Sequence, residues 1–444
     1  MSTIFVSIAS YRDSELIPTL KDLVKNSASP EKLHIAVCWQ HNETVDIFQQ
    51  AGMKLTGEST LDDFILKEYE FDKVRINIIS VEHYRSKGAC WARNMAEKLY
   101  TNEDYFLQID SHCRFINQWD NEMIIMLKSL KTQSAKPVLS HYPAGYKPDN
   151  EEERFKYNNV SRIAFLKFND HGIPVTFPTA YSSDKPLKSS YFAGGFVFAE
   201  GSFVKEVPND PDIFFVGEEI MMAARAFTHG YDIYSPHKIL LWHYYVRKNV
   251  KYWDDHDKKA KENGKIDMVW WDRNRISNKR LRNFFDLQSD HDCRLGIYAP
   301  GKIRTLREFE YTSGISFKNR AVQPEVVGKD RVNWFQVDLL DKENWEIKLI
   351  SPYHKKLIIE LEKFNFSPEQ VQHWHLTVLD TYNHLIDEIK LTAEEIKKKF
   401  ESAKEGKIEF ELKFNTYPHF TPTTVRMIPY FSDSSWGEAV EVKW

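Results

Sequence analysis

The chain has 444 residues, 42% hydrophobic and 28% charged. That is ordinary for a soluble globular protein, and long enough for two or three domains of ~100–200 residues each. A formal net charge of -4 argues against broad nucleic-acid binding. No apolar run reaches ~18 residues, so no membrane span is expected.

The opening "STIFVSIASYRD" reads as a strand ending in small and polar residues. It lacks a basic region ahead of its short apolar run, so no secretory leader is expected. "ELIPTLKDLVKNSA" follows as a helix, with Leu16, Leu20 and Val24 at helical spacing. "KLHIAVCWQHNE" and "KVRINIISVEH" read as further strands, "KGACWARNMAEKLY" as a helix after a glycine, and "DYFLQID" as a fourth strand. Strands alternating with helices predict a βαβ sheet. Ligands of such sheets bind outside the carboxyl ends of the strands, where "SYRD", "WQHNE" and "DSH" fall.

Beyond Trp119 the pattern loosens. "HYPAGYKPDNEEERFKYNN" reads as a charged, proline-containing loop, and "SYFAGGFVFAEGSFVKEVP" as a strand around two glycines. "FFVGEEIMMAARAFTHGYDIYSP" turns from Gly-Glu-Glu into an apolar helix ending near Gly230. "HKILLWHYYVR" reads as a strand, "KYWDDHDKKAKENGK" as a charged stretch and "NKRLRNFFDL" as a helix.

After Gly328 short alternating runs take over: "VNWFQVDLL", "WEIKLISP", "KLIIELEKF", "HWHLTVLDTY", "KIEFELKFN" and "TTVRMIPYF". They predict an antiparallel, sandwich-like β domain. It carries one helix, "TAEEIKKKFESAKEG", N-capped by Thr392 with Glu395 three residues on and Gly406 at its end. The expected domains are therefore 1–328, α/β, and 329–444, β-rich. The four cysteines form no CxxC pair and read as free thiols of a reducing compartment, consistent with a cytoplasmic protein.

Three constellations carry chemistry. Residues i and i+2 of a strand point to the same side, so Asp110 and His112 at the end of "DYFLQID" can aim a carboxylate and an imidazole at one point. Such a mixed oxygen and nitrogen set suits a manganese-like ion better than calcium. His243 in "LLWHYY" is the candidate third ligand, with His237 its nearest competitor; the plainer reading of His243 is a core histidine. Arg85 and Lys87 lead into the helix start at Gly88 and Arg93 lies a turn and a half into that helix, which reads either as an anion site or as a basic helix start on a solvated face. Gly217 lets the backbone bend near a ligand, and Glu218 and Glu219 then open a helix. These two carboxylates read either as dipole capping or as groups set over a sugar.

Taken in order, "SIASYRD", "RSKGACWARN", "QIDSHCRF", "FAGGFVFAEGSF", "FFVGEEIMMAARAFTHGYDIYSP" and "WHYY" resemble the polypeptide α-N-acetylglucosaminyltransferases that modify hydroxyproline or mucin-type Ser/Thr, glycosyltransferase family sixty. More distantly they are similar to the polypeptide N-acetylgalactosaminyltransferases. The likeness covers residues 2–320. It implies a GT-A fold with a Rossmann-like nucleotide-sugar domain, and a UDP-sugar donor bound with Mn2+ or Mg2+. Asp110, His112 and His243 would hold the metal. Ser10, Tyr11, Arg12 and Asp13 would line the uridine pocket, and Arg85, Lys87 and Arg93 would meet the nucleotide. Gly194 and Gly195 would border the donor sugar, and Glu218 would contact the transferred sugar or the acceptor. Glu219 stands where the galactosaminyl relatives carry Asn, which leaves its role open.

The expectation is thus a metal-dependent, retaining transferase that moves N-acetylglucosamine from UDP-GlcNAc to a hydroxyl of a polypeptide or glycan. The alternatives are the same fold acting on a polysaccharide or small glycan with another UDP-sugar, and a non-catalytic carbohydrate-binding protein. The segment 329–444 falls outside the resemblance.

Overall fold

The structure, a computed structural model, describes residues 2–156, 159–247, 250–288 and 293–444. The chain divides into two compact units. The first comprises Met1–Phe317 with Arg331–Leu340; the second comprises Lys318–Asp330 with Asp341–Trp444.

The first unit is built on a mixed ten-stranded sheet. Its middle strands are β1 (Ile4–Tyr11) and β2 (Leu33–His41), which are almost wholly buried. Strands covered on both faces need near-continuous apolar runs, and "IFVSIASY" and "LHIAVCWQH" provide them. Strands β3 (Lys54–Leu61) and β4 (Phe64–Phe71) form an edge hairpin beside β5 (Val74–Glu82). The sequence pattern does not reveal this hairpin: its exposed residues are mostly polar or charged, and of β4 only Leu66 and Tyr69 are buried. Strand β6 (Tyr105–Asp110) pairs parallel with β1, placing Asp110 beside Ala9. The parallel block β6-β1-β2-β5 therefore sends Tyr11, His41, Glu82 and Asp110 to one rim.

Helices cover both faces. The layer with α1 (Leu16–Lys25) contributes Leu16, Leu20 and Leu23 to the larger core, which also takes Val6, Ile8, Leu107 and Ile109 from the sheet. A short α2 (Ile47–Gln50) adds Phe48 to the same core. On the other face α3 (Ala89–Glu97) buries Trp91, Ala92 and Met95 against Cys38, Ile79 and Val81.

Past β6 the chain forms β7 (Cys113–Phe115), α4 (Trp119–Ser129), β8 (Pro137–Ser140) and β9 (Ala144–Gly145). The expected loop 141–159 contains β9 and 3-10 turns over Pro148–Lys156; its residues Tyr157 and Asn158 lie outside the described set. An antiparallel pair follows, β10 (Val160–Phe168) with β11 (Pro174–Tyr181), then β12 (Leu187–Ser189) and β13 (Phe196–Glu200). Strand β13 runs antiparallel between β6 and β8. After a short α5 (Phe203–Glu206) comes α6 (Glu218–Thr228), the expected Gly-Glu-Glu helix, and then β14 (Asp232–Ser235). The run "HKILLWHYYVR" narrows to a three-residue strand, β15 (Leu241–His243), between β7 and β9.

In the second unit a two-stranded sheet (Ser351–Glu360 with Lys407–Thr416) and a four-stranded sheet built around Val371–Leu379 share one core. Ile359, Phe410, Trp374, Leu376, Val425 and Met427 fill it, together with Ile396 of the helix Ala393–Glu401. Thr392 caps that helix in a reciprocal box with Glu395. The helix ends at Glu401 with Ser402 as its cap, and Gly406 sits instead in the turn that follows, at φ 72°. "VNWFQVDLL" forms a 3-10 turn over Val337–Leu339 rather than a strand, and in "WEIKLISP" the strand begins only at Ser351. The α/β class with an added β-rich unit is the one expected, and all four cysteines are free thiols. No helix among the described residues is long and apolar enough to cross a membrane.

Candidate active site

The rim formed by β1 and β6 floors a cavity of about 530 Å3, lined by Tyr11, Arg93, Asp110, His112, Gly194, Gly195, Glu218, Glu219 and His243 among others. Backbone register explains why residues so far apart in sequence meet there. Strand β15 pairs antiparallel with β7, His243 opposite Cys113, and Tyr244 N–H donates to the His112 carbonyl (3.0 Å). That pairing sets the two imidazoles face to edge, 4.5 Å between ring centres. Strand β13 pairs with β6, Phe196 opposite Ile109, which brings Gly195 against Asp110. A Cβ at Gly195 would lie 2.9 Å from Asp110 Oδ2, so the residue must be small. A Cβ at Gly194 would overlap Glu218 Oε1.

Asp110, His112 and His243 each point one ligand atom inward, and these atoms lie within 4.8 Å of one another. His243 Nε2 is 3.1 Å from Asp110 Oδ2 and 3.0 Å from His112 Nε2. His112 is fixed from behind: its Nδ1–H donates to Asp13 Oδ2 at 2.7 Å, which leaves the Nε2 lone pair facing the cluster. Asp13 also accepts from Ser111 Oγ (2.7 Å) and Arg247 Nη1 (3.1 Å). A carboxylate behind a ligating imidazole orients the ring and raises its basicity. Burial lowers the His243 pKa despite the Asp110 bond, so this imidazole is held toward its neutral form. Burial would raise the Asp110 carboxyl, but the His243 hydrogen bond and the Arg93 charge outweigh it and hold the group well below the usual range. One anionic oxygen and two imidazole nitrogens converging on one point, with a single proton to share between facing Nε2 atoms, fit a divalent cation with mixed ligands. Asp110, His112 and His243 could hold one; His237 lies elsewhere and lines no part of the cavity.

Arg93 on α3 closes one side. Its Nη2 donates to Asp110 Oδ1 (3.1 Å) and its Nη1 to Glu218 Oε1 (2.7 Å). Cys90, one turn earlier, donates its thiol to Glu218 Oε2, and burial with the nearby carboxylate pushes that thiol well above its usual pKa. Glu219 accepts from Gly194 N–H (2.8 Å) and from Tyr142 Oη, which also meets Thr176 Oγ1. Burial pushes the Glu219 pKa up to about 7, with the Glu218 charge assisting and the Tyr142 hydrogen bond opposing. Behind Gly194, Gln108 Nε2 donates to the Gly194 carbonyl (2.7 Å), and Asn209 Nδ2 donates to Gln108 Oε1 (2.8 Å).

The chain residues 3–319 match the family model described as Glycosyltransferase (GlcNAc). The chain belongs to this GlcNAc glycosyltransferase family. No curated protein matches it in sequence. Among solved structures it is similar to GalNAc-T7 with UDP, GalNAc and Mn2+ (13% identity, 70% of this chain and 54% of that one, TM-score 0.39). It is also similar to the mannosyltransferase PcManGT of Pyrobaculum calidifontis with GDP-Man and Mn2+ (10%, 56% and 58%, 0.35). A third is S. aureus TarS 1–349 with UDP-GlcNAc (13%, 65% and 77%, 0.33). The chain thus spans little more than half the length of the first two.

Within this glycosyltransferase the cavity gathers Tyr11, Arg93, Asp110, His112, Gly194, Gly195, Glu218, Glu219 and His243. Other expected residues stand elsewhere. Ser10 has its side chain buried, and its carbonyl accepts from Gln40 Nε2. Arg12, at φ 46°, pairs with Asp255 (2.8 Å), which also accepts from Tyr11 Oη (2.8 Å). Asp13 backs His112. Arg85 lies over the Phe64 ring (4.3 Å) and donates to the Asp63 carbonyl, while Lys87 is exposed; neither lines the cavity. Arg85 therefore faces the β3–β4 hairpin rather than the cavity. Tyr142, Thr176 and Arg247 were not legible, since only non-local pairing brings them to the site.

Proposed function

We propose that this glycosyltransferase moves N-acetylglucosamine from UDP-GlcNAc to a hydroxyl of a polypeptide or glycan, with retention and with a divalent cation, Mn2+ or Mg2+. The observation that carries the reading is the convergence of Asp110 Oδ2, His112 Nε2 and His243 Nε2 at the floor of the cavity. These three residues would hold the cation, with the nitrogen-containing set favouring Mn2+. When bound, such a cation neutralises the charge that develops on a departing nucleoside diphosphate.

The remaining steps belong to the protein. Asp13 keeps the His112 lone pair on the cation side. Arg93, clasped by two carboxylates, holds a fixed positive charge beside Asp110, of the kind that stabilises a leaving anion without reorganisation. Gly194 and Gly195 let the backbone pass close against Glu218, Arg93 and Asp110, at the edge of the cavity where a sugar ring would sit. Glu218 serves mainly to position Arg93, whereas Glu219, near neutrality at its pKa, contacts a sugar hydroxyl or the incoming acceptor. Among the cavity carboxylates described, Asp110 and Glu218 are paired with Arg93 and Glu219 is held toward its neutral form, so none is set up as a covalent nucleophile, which fits attack on the same face that the diphosphate leaves. Catalysis resides in the first unit, which contains the whole cavity, and the second unit is accessory.

The test is release of UDP by the purified full chain from UDP-GlcNAc, UDP-GalNAc, UDP-glucose and GDP-mannose, with Mn2+, Mg2+ or a chelator. The expected result is Mn2+-supported release that is greatest for UDP-GlcNAc. A preference for another donor removes the GlcNAc assignment, and release undiminished by chelation removes the metal.

A further inference from the structure

The second unit presents a feature that catalysis in the first does not use. On Val371–Leu379 the side chains Trp374, Leu376 and Val378 point into the core, so His373 and His375 lie on the opposite face of the sheet. His373 registers with Tyr430 on the neighbouring strand, and their rings stack at 4.6 Å with 22° between planes. Trp436 stands across them. Its ring centre is 4.8 Å from Tyr430 at 63° and 5.1 Å from His375 at 68°. The four rings form an L-shaped notch, and Trp436 remains 56% exposed.

The indole is held there by backbone. Trp436 bridges Tyr430, Phe431 N–H donates to the Ser435 carbonyl (2.9 Å), and Gly437 N–H donates to the Pro429 carbonyl (2.9 Å). Asp433 Oδ1 accepts from Ser435 N–H (3.0 Å), tightening the turn. A Cβ at Gly437 would come within 2.7 Å of the Pro429 ring and the Phe431 ring, so the strand passes these side chains as closely as glycine allows. A rigid aromatic kept half in water presents apolar contact area with little entropy left to lose on binding.

The surroundings select the occupant. Glu388 accepts from His375 Nδ1 (2.6 Å) and is itself 44% exposed, so carboxylate and imidazole both stand at the notch to meet hydroxyls. Further along the same face Arg426 pairs with Glu441 (2.6 Å), and Thr377 and Lys390 keep it polar. A stable protein interface needs roughly 800 Å2 a side with an apolar centre, far more than part of one indole and its neighbours. A pyranose has the right form: an apolar C–H face for the indole and an equatorial rim of hydroxyls for Glu388 and the imidazole. We infer that the Trp436–Tyr430–His373–His375 notch is a glycan-binding site of the second unit, taking a neutral or N-acetylated oligosaccharide independently of the nucleotide-sugar cavity.

The test is calorimetric titration of the full chain, without nucleotide, with chitotetraose and with cellotetraose. Wild type is expected to bind at least one, and Trp436→Ala to weaken it by about tenfold or more, the loss of one stacked aromatic. UDP release should be unchanged, because Trp436 lies outside the cavity. Should Trp436→Ala fail to fold, Trp436→Phe and Glu388→Gln decide: the first is expected to stay within about threefold of wild type and the second to fall below it. Wild type binding neither oligosaccharide at about 10 mM overturns the inference, as does wild-type affinity in Trp436→Ala or in Glu388→Gln. Sedimentation showing a dimer that Trp436→Ala dissociates overturns it in favour of a contact between copies.

Discussion

Arg93 and Glu218 form a buried ion pair, Nη1 to Oε1 at 2.7 Å, with side chains 5% and 9% exposed. The pair reaches the metal-site carboxylate, because Arg93 Nη2 also meets Asp110 at 3.1 Å. Breaking a buried pair by removing one partner costs ~3–5 kcal/mol, since the other charge is left uncompensated. Glu218→Ala should therefore lower stability by about that much and displace Arg93 from Asp110. Arg93→Met/Glu218→Met should recover much of the stability while leaving transfer at least ~100-fold down. Thermal denaturation beside UDP release checks both halves. A double variant that turns over at the wild-type rate would remove Arg93 from the chemistry.

Metal binding gives a readout free of activity. A ligand that binds the folded state raises stability by mass action, by about 2.7 kcal/mol at a hundredfold excess over Kd. Mn2+ should raise the melting temperature of the wild type but not of Asp110→Ala, His112→Ala or His243→Ala, each of which should fold and lose transfer. Asp13→Asn should keep the site but weaken Mn2+ affinity ~10–100-fold, as loss of a supporting carboxylate does. A Mn2+-induced shift that survives in all three ligand variants places the cation elsewhere.

The legible parts of this site are those set by local periodicity. The i, i+2 spacing of Asp110 and His112 at the end of an apolar strand implies one shared direction; β6 ends at Asp110 and His112 stands in the bend before β7, yet the two side chains still converge. The Gly-Glu-Glu helix start is likewise local. What could not be read is set by pairing between distant strands. The resemblance places Asp13 in the uridine pocket, and its carboxylate turns back to His112, 99 residues away. Tyr142, just before β9, and Arg247, after β15, reach the cavity beside strands of two and three residues, which carry no detectable period. Arg85 stands away from the cavity for a related reason: its Phe64 partner belongs to an edge hairpin whose mixed polar sequence carries little apolar alternation.

The carboxyl of Glu219 carries a pH dependence. Burial raises its folded pKa to about 7, above its ordinary value of 4.5. Between those two values the folded state holds a proton that the unfolded state has released, so stability falls as pH rises. At 1.36 kcal/mol per unit the contribution lost by pH 8 is about 3 kcal/mol. Glu219→Gln mimics the neutral form, so its melting temperature should exceed that of wild type at pH 8 and match it near pH 4.5. Parallel melting-temperature profiles for the two proteins across pH 4.5–8 would show that Glu219 is ionised throughout.

The segment 331–340 decides where a truncated enzyme can end. It belongs to the first unit although residues 318–330 before it do not. Asn333, 4% exposed, donates its Nδ2 to the Ile163 carbonyl (2.7 Å), and its own carbonyl accepts from Ser190 N–H (3.1 Å). Phe335 N–H donates to the Thr312 carbonyl (2.8 Å). A chain ending at Gly328 loses all three bonds, and although the Thr312 carbonyl still accepts from Ser190 Oγ, the loss costs ~1–3 kcal/mol for each buried group left without a partner. A chain ending at Leu340 keeps them. The longer form should melt at least about 5 °C above the shorter, taking roughly 2–4 °C per kcal/mol for a unit of this size. It should also retain Mn2+-dependent UDP release, because every residue lining the cavity is present in it. Equal melting temperatures for the two chains would mean that residues 331–340 contribute nothing to the first unit.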